Sequence, residues 1–528
     1  MKRYELIVIG AGPAGLSAAI EAAKAGMQTI VFDENAKPGG QLFKQIHKFF
    51  GSKEHKAKVR GYDIGDALLK EAETLGVAVV LNATVIGIYE GKEITVMMGE
   101  GIKHYKGDTV IVATGASENM VTFPGWTLPG VIGAGAAQTM MNLHGIKPGN
   151  RVLMLGTGNV GLVVSYQLMQ AGCEVVCLVD AAKRIGGYGV HASKVTRTGV
   201  PFYLGHTIKA IEGDGKVEKV TVAALDDKWA FVKGSEMTFE VDTVCLAVGL
   251  SPMSQLPKTA GCDMKENVPV TNGYGETSLS GIYAAGDVSG IEEASSAMIE
   301  GRIAGADAAY QAGYLTEDAF EAIVSINETS LGQLRQGMFG PDARGVEQVT
   351  TDEGITLSAS LLEKGYLEES EISGFPGVQT KQKGIYPVIE CTQNIPCNPC
   401  QDACVKGCIS IGDTITSLPV VGENVDCTGC GLCVASCSGQ SIFLIEEKPE
   451  EDAAYVSMPY EFLPLPEKGD KGLALSRRGD VVCETEIIKL RSSKAMDKTN
   501  ILTIKVPLSM AMKARFFKPL TEGGAKNA

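Results

Sequence analysis

The chain has 528 residues, too many for one hydrophobic core, so three or four domains are expected. Apolar residues make up 45% and charged residues 21%, ordinary for a globular protein, and the formal charge is −14. That acidity argues against nucleic acid or an anionic membrane as a partner, since both need a basic face.

The first stretch, "YELIVIGAGPAGLSAAIEAAKAGMQTIVFDE", reads as an apolar strand, a glycine turn, an alanine-rich helix and a second strand. The apolar run passes straight into the turn, unlike a signal peptide, and the longest apolar runs are strand-sized. A cytoplasmic protein without membrane insertion is therefore expected. Gly10, Gly12 and Gly15 form G-x-G-x-x-G between strand and helix. The first glycine allows the tight turn, the second lets a pyrophosphate approach the backbone, and the third lets the helix pack on the strand. The helix N-terminus faces the phosphates with its partial positive charge. Asp33 ends the next strand, near the spacing of an acid that binds ribose hydroxyls. Together these mark a dinucleotide site.

"GDTVIVATGA" is a further buried strand. "NRVLMLGTGNVGLVVSYQLMQAGCEVVCLVD" then repeats the opening pattern. Its turn carries Gly156, Gly158 and Gly161, Asn159 and Val160 open its helix, and Asp180 ends its second strand. An acid there suits a free 2′-hydroxyl and favours NAD(H); another adenine nucleotide, or a purely structural turn, stays open. "DTVCLAVGLSP" and "GIYAAGDVSG" add short strands, and "EASSAMIEGRIAGADAAYQAG" a helix.

The predicted architecture is α/β with two Rossmann-like domains, the second inserted in the first. The first takes 1–115 and 245–315, the second 116–244. Residues 316–384 read as a helical connector, 385–447 as a cysteine-rich module and 448–528 as a small β unit. The acidic run "EEKPEED" at 446–452 reads as a solvated linker.

Nine of the 14 cysteines lie between Cys391 and Cys437. Clustered spacing in a reducing compartment argues for metal and against disulfides. Cys427, Cys430, Cys433 and Cys437 follow the C-x2-C-x2-C-x3-C run that binds 4Fe–4S clusters, in which the fourth cysteine serves the other cluster. Zinc would favour two separated C-x2-C pairs. Aligning Ile409 with Ile442 sets Cys404 opposite Cys437, Cys400 opposite Cys433 and Cys397 opposite Cys430, with Cys391 supplying the remaining ligand across an insertion. The crossed rule then gives one cluster to Cys391, Cys397, Cys400 and Cys437, and the other to Cys404, Cys427, Cys430 and Cys433. Cys408 in place of Cys404 or Cys391 is the alternative.

"GAGPAG", "PGGQL" at 38–42, "VIVATGA" at 110–116 and "GIYAAGDVSG" at 281–290 resemble the pyridine nucleotide-disulfide oxidoreductase superfamily of flavoproteins, up to about residue 315. The resemblance implies FAD at the first fingerprint. Its binding residues would be Gly10, Gly12, Pro13, Ala14 and Gly15, with Asp33 and Glu34, Gly40, Ala113, Thr114, Gly115 and Gly286. Asp287 would reach the ribityl chain, and Gln41 would lie near the isoalloxazine. One departure is clear: "GGQLFKQIHKFFG" has no cysteine, and Cys173 and Cys177 sit in the helix–strand part of the second repeat. Dithiol transfer therefore lacks its reagent. His47 reads as packing or surface, and no acid–base catalyst is assigned.

"PGGQLFKQ", "FPGWTLPGVIGAGAAQ" and "GTGNVGLVVSYQLMQAG" more narrowly resemble the α-type electron-transfer subunits of opine oxidases, hydrogen cyanide synthase and dye-linked proline dehydrogenases. That implies a hetero-oligomer in which a second flavoprotein, of the D-amino-acid-oxidase type, oxidises an amine or imino acid. The ferredoxin-like module is an elaboration associated with anaerobes, and a ferredoxin is a further partner. A flavin with two clusters converts hydride to single-electron chemistry. The competing reading is a self-sufficient NAD(H):ferredoxin-type oxidoreductase.

Overall fold

A computed structural model describes residues 1–336, 360–378, 384–422 and 426–520. The expected connector's residues 337–359 and 379–383 lie outside the described residues. The chain divides into two units, Met1–Asn119 with Gly249–Arg344, and Met120–Val248 with Gly345–Ala528.

In the first unit β1 (Lys2–Ile9), α1 (Pro13–Ala25) and β2 (Thr29–Phe32) form the opening repeat. The last four residues of β1 are buried, as the centre of a parallel sheet requires. Pro13 starts α1, where its missing N–H has no helical partner to lose. Helix α2 (Gly61–Thr74) leads to β3 (Ala78–Val80), and β4 (Ala83–Tyr89), β5 (Glu93–Met98) and β6 (Gly101–Val112) make an antiparallel meander. The sheet order is β3-β2-β1-β6-β5-β4, and the late strand Ile282–Ala284 returns to pair with β6 in parallel. The helix Ala294–Gln311 lies against α1. Their closeness depends on glycine: a β-carbon on Gly301 would stand 2.1 Å from the Ala14 carbonyl oxygen, and one on Gly305 2.3 Å from that of Ala18.

The second unit holds a parallel sheet in the order Phe202–Leu204, Glu174–Asp180, Arg151–Leu155, Thr243–Leu246, Val131–Gly133. Its repeat helix is Asn159–Gln170. Farther along, seven strands form an antiparallel sheet with Ile442–Lys448 between Ile385–Ile389 and Ala453–Tyr460.

That sheet corrects two expectations. It continues through residues 447 and 448, so a domain border there would cut a sheet. The acidic run is the end of one strand and the turn into the next, where Glu446 pairs with Lys448 and Glu451 with Lys505. Charge alone hides a cross-strand partner such as Lys505 from a sequence reading. Among the described residues no helix is long and apolar enough to cross a membrane.

Candidate functional site

The turn after β1 is built as its glycines predict. Gly10 has φ of +105°, and a β-carbon on it would stand 2.3 Å from the Ala113 carbonyl oxygen. One on Gly15 would stand 1.8 Å from the Gly10 oxygen, whereas one on Gly12 would meet nothing within 4 Å. The outer two glycines thus serve packing, and the middle one leaves a cradle that a phosphate group fits. Pro13 and Ala14 open α1 beside that cradle. The Gly39–Gly40 loop covers the turn: the Gly39 amide donates to the Ala11 carbonyl at 2.6 Å. Gln41, next to it, is exposed. The Ala113 amide donates to the Ile9 carbonyl at 2.8 Å, and the Thr114 hydroxyl to the Met253 carbonyl at 2.7 Å. Gly115 adopts φ of +74° with open space about its α-carbon.

Asp33 is engaged in holding the turn. Its carboxylate accepts the Ala11 amide at 2.6 Å and the Asn35 amide at 2.8 Å, and it is buried. Glu34, the next residue, is exposed. Gly286 lies against Ala14, where a β-carbon would come within 2.7 Å. Its amide donates to Glu300 at 3.0 Å, and Glu300 in turn accepts Arg335 at 2.7 Å. Arg335 also forms a two-pronged pair with Glu292. Burial, then the Glu292 charge, pushes Glu300 up to about 7 against the pull of Arg335. Burial likewise pushes Asp287 up to about 6, with the Glu292 amide opposing and the Glu292 charge adding to it. A carboxyl such as that of Asp287 can accept from hydroxyl donors. His47 stacks on Phe49 at 5.8 Å between ring centres.

The second turn repeats the first. β-Carbons on Gly156 and Gly161 would stand 2.1 and 2.2 Å from backbone oxygens, and one on Gly158 would meet nothing within 4 Å. Asn159 caps the approaching loop by accepting the Tyr188 amide at 2.8 Å, while Val160 is exposed. The Asp180 carboxylate holds its turn as that of Asp33 does: it accepts the Thr157 amide at 2.7 Å and the Ala182 amide at 2.9 Å. The position matching Glu34 is Ala181. Gly186 and Gly187 follow Asp180 at the spacing at which Gly39 and Gly40 follow Asp33. That echo is a signal in the sequence by which the loop over the second turn could have been found. A cleft of about 570 Å³ opens beside Gly156, Asp180 and Ala181, flanked by Lys209, Trp229 and Phe231.

No disulfide joins any of the described cysteines. Burial raises the Cys391 thiol above its ordinary value, and the charges of Cys437 and Cys400 add to that. Cys400 is pushed up to about 12 by burial, with Cys437 adding to it. Burial likewise raises Cys433, and its further neighbours are Cys427, Cys404 and Cys430. Cys391, Cys400, Cys404, Cys427 and Cys437 all pack against the buried cluster that holds Cys408 and Cys433, so the two runs lie together. Cys404 accepts the Cys408 amide at 3.2 Å and Cys437 the Ser441 amide at 3.4 Å, so the runs are local copies. The Cys397 amide donates to the Ile415 carbonyl at 3.1 Å, and Cys408 is buried in an apolar cluster with Ile389, Ile409 and Val434. Cys430 is exposed.

Among the described residues no group of three or more His, Cys, Asp or Glu side chains is placed to hold a metal ion. The donors around the cysteines carry a different signal. Arg197 Nε, Gln393 Nε2 and Arg491 Nε are buried and lack a hydrogen-bond acceptor among the described residues. Buried donors are ordinarily satisfied, and an anionic sulfur-rich group would satisfy these.

Residues 4–313, more than half of the chain, match the family model described as pyridine nucleotide-disulphide oxidoreductase. An opine oxidase subunit from Rhizobium meliloti is 30% identical over 355 residues, covering 60% of this chain and 65% of that protein. The hydrogen cyanide synthase subunit HcnB of Pseudomonas aeruginosa is 27% identical over 333 residues, covering 56% of this chain and 69% of that protein. The chain thus spans slightly under two thirds of the opine oxidase protein. A crystal structure of T. acidophilum thioredoxin reductase superposes with a TM-score of 0.50 at 22% identity, covering 59% of this chain and 99% of that one, a likeness of fold. With its paired glycine turns and the family match across both, the chain belongs to the pyridine nucleotide-disulphide oxidoreductase family.

Proposed function

We propose that the chain is an electron-transfer subunit of a multisubunit dehydrogenase, carrying FAD and two 4Fe–4S clusters. A partner flavoprotein of the D-amino-acid-oxidase type would oxidise an amine or imino acid of the opine, proline or sarcosine kind. The observation that supports this reading is that cysteines of both runs, Cys391, Cys400 and Cys404 with Cys427, Cys433 and Cys437, pack in one hydrophobic cluster. A cubane spreads its four thiolates around a core of iron and sulfide, wider than the ligands of a single ion, and takes one from the distant run. The orphaned donors of Arg197, Gln393 and Arg491 support an anion there.

FAD, when bound, takes two electrons together and gives them up singly, while a cluster carries one. The chain's residues would bind and orient. Gly12 opens the backbone to the pyrophosphate, and Glu34, not Asp33, is the acid available to the adenosine ribose. Gly286 and Asp287, held by Glu300 and Arg335, would face the ribityl hydroxyls. The second turn would take an adenine nucleotide with weaker ribose recognition than its Asp180 suggested, or NAD(H). Names of the relatives as subunits support a hetero-oligomer.

The test is anaerobic purification of the native complex. A co-purifying second flavoprotein, about eight iron per chain, and dye-linked oxidation of a secondary amine only when both proteins are present are expected. Rapid amine oxidation by this chain alone, or zinc in place of iron, overturns the reading. NADH bleaching the flavin of the isolated chain, with reduction of a ferredoxin, would favour the self-sufficient oxidoreductase.

A further inference from the structure

Arg197 caps the helix Gly189–Thr196 of the second unit's parallel-sheet region, far in sequence from any clustered cysteine, and is 4% exposed. Its Nη1 donates to the Gln440 carbonyl at 2.9 Å. Gln440 is itself fixed on both sides, accepting the Tyr166 hydroxyl at 2.9 Å on its side chain and donating its amide to the Cys437 carbonyl at 3.1 Å. The guanidinium lies 5.4 Å from the centre of the Phe443 ring, which Arg515 approaches to 4.9 Å. Arg197 is thus pinned, linked through Gln440 to the backbone of Cys437.

The charges around it do not balance. Arg197, Arg477 and Arg515 are all buried, and one buried carboxylate, Glu390, acts on the three. Glu390 Oε1 accepts Arg477 Nη2 and Arg515 Nε, each at 2.6 Å. That leaves Arg197 with a remote share of one carboxylate and with Nε lacking an acceptor among the described residues. A buried cation so placed is costly unless an anion faces it. Four thiolates on an iron–sulfide core carry a net negative charge that grows by one on reduction. A fixed cation in a low-dielectric setting favours the more negative state.

We propose that Arg197 sets the reduction potential of the cluster held by Cys391, Cys397, Cys400 and Cys437, raising it through its buried charge. The inference rests on the two-cluster reading above. Reduction adds one electron, supplied in the test by dithionite, and no bond to Arg197 forms or breaks. Arg491 offers the matching control. Its Nη1 donates to the Gly429 and Cys430 carbonyls at 2.7 and 3.0 Å, beside the other thiol group, and it is half-buried.

The experiment is an anaerobic dithionite titration of the full chain followed by electron paramagnetic resonance, with iron and sulfide assays on each variant. R197M should keep its iron and move one of two signals to lower potential by at least a tenfold change in the oxidised-to-reduced ratio, ~59 mV for one electron. The other signal should stay, and R491M should move that other signal instead. R197K, which keeps the charge, should stay close to wild type. If R197M keeps its iron and neither signal moves, the proposal falls. If R197M loses a cluster, R197K decides. A cluster retained near the wild-type midpoint supports the role of charge, and a cluster lost there as well overturns it in favour of packing. A wild-type chain without iron defeats the two-cluster reading itself, an outcome seen before any variant is made.

Discussion

The Asp180 carboxylate accepts the Thr157 amide at 2.7 Å, and Asp33 holds the Ala11 amide in the same way at 2.6 Å. Each acid fastens the glycine turn to the strand beside it. Asp180→Ala should therefore act first on stability, lowering the unfolding free energy by ~1.5–3 kcal/mol, the worth of hydrogen bonds to a charged group. Urea unfolding measures this. Glu34→Ala, at an exposed position, should leave stability unchanged and loosen FAD in equilibrium dialysis. An Asp180→Ala protein as stable as wild type would refute the fastening role.

The glycines of each turn should divide into two classes. Gly12→Val and Gly158→Val place side chains in open space and should fold, each losing only the nucleotide of its own turn. Gly15→Ala and Gly161→Ala drive a methyl against backbone oxygen at 1.8 and 2.2 Å and should not yield native protein. Circular dichroism with FAD content separates the classes. A soundly folded Gly15→Ala protein would contradict the packing assigned to it.

Cysteine replacement tests the exchange between runs. Cys404→Ala should lose one cluster, about four of about eight iron. Cys408→Ala should keep both, since its side chain is buried among Ile389, Ile409 and Val434. Iron analysis of the two proteins gives the ranking, and the reverse order would assign Cys408 as the ligand.

Glu300 makes stability depend on pH. Burial, with the Glu292 charge, raises it to about 7, so the folded chain keeps a proton that an unfolded glutamate releases near pH ~4.3. The native state then binds more protons across that window, and stability contributed by this group is lost as pH rises from about 4.3 to about 7. Glu300→Gln should flatten that slope. Asp287, pushed up to about 6, leaves a smaller slope of the same sign. Unfolding free energies measured at several pH values in this range check it, and an unchanged slope in the variant would exclude Glu300 as its source.

The strand–glycine–helix repeats were legible because local sequence carries them. β1, α1 and β2 stand where the apolar run, the glycines and the alanines put them, and Arg151–Leu155, Asn159–Gln170 and Glu174–Asp180 follow suit. What a side chain does at the end of such an element was harder to read. Asp33 has the position of a ribose acid, yet its hydrogen bonds run to Ala11 and Asn35, a choice that only the turn's geometry reveals. Arg197 gave no local signal. Its hydrogen bond to Gln440 crosses 243 positions and depends on how a helix end meets a cysteine loop. The acidic turn at 449–451 shows the opposite fault, since a biased local composition concealed an ordinary strand connection.

The continuous sheet has a consequence for anyone wishing to transplant the cysteine loops. Ile442–Lys448 is covered on one edge by Ile385–Ile389 and on the other by Ala453–Tyr460. A fragment cut at residue 447 would strip the second edge and bare a row of amides and carbonyls along a strand whose first four residues are all apolar. Such a fragment would self-associate instead of standing alone. The loops are therefore no detachable cassette: whatever they hold travels with the strands that follow them, and a graft onto another oxidoreductase must carry the chain to its last strand, Phe516–Pro519.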